Sequence, residues 1–394
     1  MKIVFLDWNC FNKGDTLEAL TSMGHSLFRY IESGYNDIQN KEFLDSCCRM
    51  LRRENPRVFF SYNYFPLVAE ACHLENIPYI SFVYDSPYTY LYSYTLIYPT
   101  NHVFLFDRSW VQEFNSGGLK NVHYMVLPGN VNRAEKLENK GYDRARTDCD
   151  ISFVGTLYNE EHNFYDKLIE NSPEYLKGYL SGLMEAQQKL YGMNIVDSAL
   201  EKESIYEMLS KALPVKDSSQ GIEPKAYRYS NYFVKRKITQ IERQRLLTLL
   251  GDTLGREWDI KLFTVDLNYK LNGIKNMGVT GYETEMPLVF KNSRINLNIS
   301  LRSINTGIPL RCIDILSSGG FLLSNYQSDL AIDFVPGEDF DYFGSKEEMI
   351  SKCEYYLSHD KERKEIAQNG QRKISRLYSF NAVFDRMFSL ALEK

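Results

Sequence analysis

Short apolar runs rich in β-branched and aromatic residues alternate with amphipathic stretches along the first third of the chain, the pattern of βα units on a parallel sheet. The candidate strands are Ile3–Asp7, Ser26–Tyr30, Val58–Tyr62, Tyr79–Val83, His102–Phe106 and Val122–Leu127, with helices near 14–23, 40–54, 65–75 and 109–117. A second series opens at Asp150-Ile151-Ser152-Phe153-Val154-Gly155, a strand followed by a glycine turn, and resumes at Asp259–Val265, Arg294–Ser300 and Phe321–Ser324. The intervening 160–250 reads as helical, interrupted by a loop at Pro214–Pro224, and 346–394 is again helix-rich. A chain of 394 residues also exceeds the ~250–300 residues over which one core grows, so two domains are expected.

The expected fold class is therefore α/β: two Rossmann-like domains facing across a cleft, the second carrying a helical insertion at about 160–250. The first domain is placed at 1–131 and a charged, weakly periodic linker at 132–148, just after Pro128-Gly129. The second domain covers 149–379, and a last helix at 380–394 is placed to pack back on the first.

Net charge of −5 argues against a nucleic-acid partner, whose phosphates need a surplus of Lys and Arg; any anion site must be local. The seven cysteines form no metal-spaced cluster and read as reduced thiols. Met1–Asp7 is too soon interrupted for a signal peptide, and no apolar run approaches the ~18 residues of a membrane span. A cytoplasmic protein is expected, with peripheral membrane contact left open.

The segment richest in chemistry runs from Ser293 to Arg302 and on through Gly307-Ile308-Pro309-Leu310-Arg311-Cys312-Ile313-Asp314 to Ser318-Gly319-Gly320-Phe321. It reads as strand, loop, helix, glycine turn, strand. A loop ending in Gly307-x-Pro309 leads into a helix start, whose backbone N–H groups favour phosphate. Arg302 and Arg311 flank that seat, and arginine holds a diphosphate bidentately and offsets charge on a departing phosphate. Asp314, one turn after Arg311 on the same face, is suited to accept hydrogen bonds from ribose hydroxyls.

These residues resemble the donor-binding motif of GT-B glycosyltransferases, in particular the CgeB-like group with its Gly-x-Pro-x-Arg-x-x-Glu helix followed by Gly-Gly-Phe. Arg311 and Gly319-Gly320-Phe321 match, and Asp314 stands where that group carries glutamate. The likeness continues through Tyr342, Glu347-Glu348, Tyr355-Tyr356-Leu357, Ile366-Ala367-Gln368-Asn369-Gly370 and Tyr378-Ser379-Phe380. Phe60–Pro66 and Ile77–Pro87 are similar to the DUF3880-type domain often fused to it. The resemblance implies a glycosyltransferase moving a sugar from a nucleotide diphosphate sugar, a UDP-sugar first, to a hydroxyl on a surface glycan or glycoprotein. It implies no metal and no cofactor beyond the donor. The donor would lie on the second domain, against Gly155, Thr156, Tyr158, Arg302, Gly307, Arg311, Asp314, Gly319 and Gly320, and the acceptor on the first, against Asn12, Asn63, Tyr64 and Tyr88.

Asp85 ends an apolar strand ahead of Ser86-Pro87, where a carboxylate can deprotonate an acceptor hydroxyl; with Arg311 it forms the candidate catalytic pair. Each assignment has a plainer competitor. Gly319-Gly320 suits a helix C-cap, Arg311 an ion pair, Asp314 a solvent-facing carboxylate and Asp85 an Asx turn. Asp148-Cys149-Asp150 and Asp339-Phe340-Asp341 imitate a metal-binding Asp-x-Asp but lack its strand-end setting. A non-catalytic GT-B-like scaffold subunit remains the alternative from another class, and an epimerase or phosphorylase the alternative among enzymes.

Overall fold

The computed structural model describes residues 1–160, 163–215 and 223–392, so most of the 214–224 loop lies outside the described residues. The chain divides into two compact units, one running from Met1 to Pro128 and resuming at Leu377, the other beginning at Gly129 and ending at Arg376.

The first unit is a parallel sheet of β1 (Lys2–Leu6), β2 (Ser26–Tyr30), β3 (Val58–Tyr62), β4 (Tyr79–Val83), β5 (Asn101–Leu105) and β6 (Val122–Tyr124), in the order β2-β1-β3-β4-β5-β6. The crossover helices are α1 (Lys13–Ser22), α2 (Lys41–Glu54), α3 (Pro66–Leu74) and α4 (Arg108–Ser116). Every residue of β3 and β4 is buried, as expected of strands covered on both faces.

In the second unit, residues read as a linker form α5 (Arg133–Glu138) and α6 (Arg144–Thr147) instead, because both have a helix to pack on, α12 (Met286–Asn292). The parallel order is β12-β11-β10-β7-β8-β9, from β7 (Cys149–Val154), β8 (Ile260–Phe263), β9 (Lys275–Asn276), β10 (Ser293–Asn298), β11 (Leu322–Asn325) and β12 (Asp341–Phe343). Between β7 and β8 stand α7 (Phe164–Glu170), α8 (Glu174–Gln188), α9 (Val196–Leu200) and α10 (Glu203–Ala212), whose Leu168, Leu180, Val196, Leu200 and Leu209 build a separate small core.

The insertion is shorter than the sequence reading drew it. A π-helical turn at Tyr229–Val234 leads into α11 (Lys235–Leu254), whose first half joins the small core through Ile238. Its second half packs Leu246, Leu247, Leu250 and Leu254 against the sheet, so α11 is the crossover helix from β7 to β8. The remaining helices are α13 (Leu310–Ser317), α14 (Ser328–Asp333), α15 (Lys346–Ser358), α16 (Asp360–Leu377) and α17 (Phe380–Leu392). Helix α17 belongs to the first unit: it packs on α1, with Phe384 on Phe60 at 5.4 Å and Phe388 on His25 at 5.4 Å. Among the described residues, no helix is long and apolar enough to cross a membrane.

Candidate functional site

Helix α13 leaves β10 and returns to β11, so topology puts its N-terminus at the carboxyl edge of the strands, where parallel sheets bind ligands. Pro309 stands at the N-cap without a side-chain cap; Cys312 N donates to Pro309 O at 2.9 Å, and the N–H groups ahead of it are the ones placed to meet an anion. The helix buries Cys312, Ile313, Ile315 and Leu316, and that stripe turns Arg311 and Asp314 to its other face. Arg311 lies over the Phe290 ring at 5.3 Å, touches Met286 Sδ, and approaches Asp314 at only 3.6 Å. Asp314 accepts a hydrogen bond from Tyr282 Oη at 2.9 Å. Burial and the Asp314 charge hold the Tyr282 phenol far above its ordinary pKa, so it stays a donor.

The turn after β7 carries Gly155, Thr156 and Tyr158, the last in a left-handed conformation with φ of 56°. Behind it is Arg243 of α11, whose Nε donates to Ile299 O at 3.0 Å while Nη1 reaches Thr156 O. Its guanidinium also lies 4.9 Å from the Tyr158 ring, and Arg236 covers the same ring at 4.8 Å. Burial lowers the Arg243 pKa; Tyr158 and Glu242 oppose that, and Arg311 adds to it. Two cations thus sit near the strand ends of β7 and β10, one of them deeply buried and held by main-chain carbonyls. Arg311 has Asp314 at 3.6 Å and Arg243 feels Glu242, so an anion seated there would add to charge that is only partly compensated.

Three expected donor residues do other work. Arg302 is only 9 % exposed along its side chain and is committed to Glu242, with Nε to Oε2 at 2.7 Å and Nη2 to Oε1 at 2.8 Å, while Nη1 donates to Leu190 O at 2.9 Å. It braces the loop rather than a ligand. Gly319 and Gly320 follow the C-terminus of α13, a helix length of about 12 Å from its start. Gly319 has φ of 77°, and a Cβ on Gly320 would fall 2.4 Å from Phe290 O. The left-handed backbone requires the first and close packing the second, at the edge opposite the phosphate seat. Gly307 lies buried in the loop just ahead of α13.

In the first unit, Asn63 at the end of β3 is left-handed, with φ of 59°, and 2 % exposed. Its Nδ2 donates to Asp85 Oδ2 at 2.6 Å and its Oδ1 accepts from Tyr84 N at 3.2 Å, so it pins the loop that presents Asp85. Asp85 is exposed as a residue, yet desolvation by the loops around it pushes its carboxyl above its ordinary pKa, and the Asn63 hydrogen bond works against that. Tyr64 is fully buried, with Oη 2.8 Å from Thr95 Oγ1, and cannot meet an acceptor. Tyr88 is half-buried and donates to Tyr64 O at 2.8 Å; Asn12 is 4 % exposed and caps α1 through its backbone.

Sequence reasoning missed Arg243 and Tyr282. A signal for Arg243 existed: it occupies the stripe Ile238, Leu246, Leu250 of α11, where a cation in an apolar face demands a reason. Tyr282 carried no such mark, since only the fold brings its loop to α13.

Residues 236–389 match the family model described as glycosyl transferase-like. No curated protein matches the chain. A glycosyltransferase from Rickettsia africae superposes with a TM-score of 0.52 at 11 % identity, covering 100 % of this chain and 99 % of that one. Anabaena HepE, solved in complex with UDP and glucose, gives 0.51 at 10 % identity over 99 % of both chains. Sucrose-phosphate synthase from Thermosynechococcus elongatus gives 0.51 at 9 % identity over 99 % of this chain and 98 % of its own. The architecture is GT-B: two parallel six-stranded sheets with helices, in two α/β units.

Proposed function

We propose that this chain is a metal-independent glycosyltransferase of the CgeB-like kind, acting in the cytoplasm, that moves a sugar from a nucleotide diphosphate sugar to a hydroxyl acceptor. The observation that carries the reading is Arg311 in the first turn of α13, whose N-cap has no side-chain cap, with Arg243 held behind the turn after β7 by Ile299 O and Thr156 O. A diphosphate can accept from Arg311 and the helix N–H groups, and guanidiniums so placed can do for the leaving group what a divalent cation does elsewhere. Asp314, steadied by Tyr282, takes the ribose hydroxyls. The HepE structures with UDP and glucose, and with UDP-glucose, make UDP the first nucleotide to try.

In the reaction, the bond from the anomeric carbon to the diphosphate oxygen breaks and a bond to the acceptor oxygen forms. The acceptor proton passes to a base, for which Asp85 is the candidate, and the nucleoside diphosphate leaves with the bonding electrons. The test is a melting screen against UDP, GDP, dTDP and CMP, followed by turnover of the stabilising donor in EDTA. One nucleoside diphosphate should stabilise by about 2.7 kcal/mol at a hundredfold excess over Kd, and Arg311→Met should weaken it by about tenfold or more. If none of the four raises the melting temperature, the donor reading fails; if EDTA abolishes turnover, metal independence does.

A further inference from the structure

Around Asp85 the first unit gathers aromatic rings that stay half-buried or exposed. Trp8 follows β1, Phe11 precedes α1, Tyr35 lies in the loop before α2, and Tyr84 precedes Asp85 itself. Trp8 stacks on Tyr84 with centroids 6.4 Å apart and planes 17° from parallel. Phe11 meets Tyr84 at 6.1 Å, and Trp8 meets Tyr35 at 6.3 Å. Under this layer the rings are sealed: Tyr62 is 0 % and Phe65 4 % exposed. Above it they open to solvent, with Phe11 52 % exposed and Asp85 accessible at the rim. All of this stands at the carboxyl edge of β1, β3 and β4, where the connections carry ligand-binding groups in parallel sheets.

Fixed polar contacts hold the layer in place. Trp8 Nε1 donates to Tyr62 O at 3.2 Å, and Phe11 N donates to Tyr84 Oη at 3.3 Å. The nearby charges are largely spent on each other: Asp7 binds Lys13 at 2.8 Å and accepts from Arg29 Nε at 2.6 Å. That pairing suits a neutral occupant better than an acidic or basic peptide. A lipid chain would gain nothing from the carboxylate and the Asn63 amide beneath it, whereas a sugar ring offers both a C–H face for the aromatics and hydroxyls for Asp85.

We propose that the acceptor is a neutral saccharide, its ring laid against Trp8, Phe11 and Tyr84 with a hydroxyl directed to Asp85. This rests on the glycosyltransferase reading but is tested on a different unit and a different ligand. The probes are cellobiose, lactose and N,N′-diacetylchitobiose, added to the full chain and followed by saturation-transfer NMR and tryptophan fluorescence.

At least one disaccharide should bind, and Phe11→Ala should weaken it by about fivefold or more while the melting shift with UDP stays as it was. Phe11 is exposed enough that its loss leaves the fold standing, and circular dichroism checks this. The proposal is overturned if none of the three binds to a protein that UDP stabilises, or if Phe11→Ala leaves the affinity within about twofold. Absence of the UDP shift, with saccharide binding intact and weakened in Phe11→Ala, strikes the donor reading and the acceptor role with it, while the saccharide site of the first unit stands.

Discussion

Replacing Arg302 by methionine separates a brace from a ligand. The Arg302 and Glu242 side chains are 9 % and 4 % exposed, and two parallel N–H···O bonds at 2.7 and 2.8 Å join them. Without the guanidinium, Glu242 keeps the Tyr191 phenol as its hydrogen-bond donor, at 2.5 Å, but a buried carboxylate loses its hydrogen-bonded counter-charge. Breaking a buried pair in this way costs about 3–5 kcal/mol. For a domain of this size, 1 kcal/mol lowers Tm by about 2–4 °C, so the expected fall is roughly 6–20 °C. The variants Arg302→Met, Glu242→Gln and the double replacement Arg302→Met with Glu242→Leu should be melted by circular dichroism and titrated with UDP well below each Tm. The double variant should recover part of the loss, because two apolar side chains leave no orphaned charge. UDP affinity should be unchanged in all three. A Tm drop below about 2 °C together with a tenfold or greater loss of UDP affinity would show Arg302 to be a donor-binding residue and refute the assignment.

Two further outcomes follow from the geometry. Gly320→Ala should destabilise the second unit by about 1–3 kcal/mol in urea denaturation, because its Cβ would fall 2.4 Å from Phe290 O and 2.6 Å from Asn296 Nδ2, the first of them backbone. Asp85 has its pKa raised above 3.8, so if it is the base, kcat/KM should fall as pH drops through that raised value, and Asp85→Asn should remove both the rate and the limb. The sign for stability is the reverse: Asp85 contributes stability fully present below 3.8, and that contribution is lost as pH rises through the raised value.

The strands were legible where both faces are covered. Val58–Tyr62 and Tyr79–Val83 are unbroken runs of β-favouring residues, and the structure reproduces those bounds. The edge strands β9 and β12, of two and three residues, were not, because so short an element carries no periodicity. Helices α5 and α6 were read as a linker for a related reason: their order comes from α12, more than a hundred positions further along the chain.

The same rule divides the site. Arg302 and Arg311 look alike in sequence, each beside a loop that could seat a phosphate, and local pattern cannot tell them apart. What does so is where the nearest carboxylate comes from. Glu242, 60 positions before Arg302, reaches it with both oxygens at hydrogen-bond distance, and that arginine becomes part of the scaffold. Asp314 is within reach of Arg311 but stands 3.6 Å away and already accepts from Tyr282, so Arg311 retains charge to offer a ligand. Arg243, hidden in a helical stripe, donates to main-chain carbonyls and lies against the Tyr158 ring, with the Glu242 carboxylate acting on its charge from a distance. An arginine is a candidate for ligand binding when folding gives it no close two-pronged carboxylate, and that is a property of partners distant in sequence.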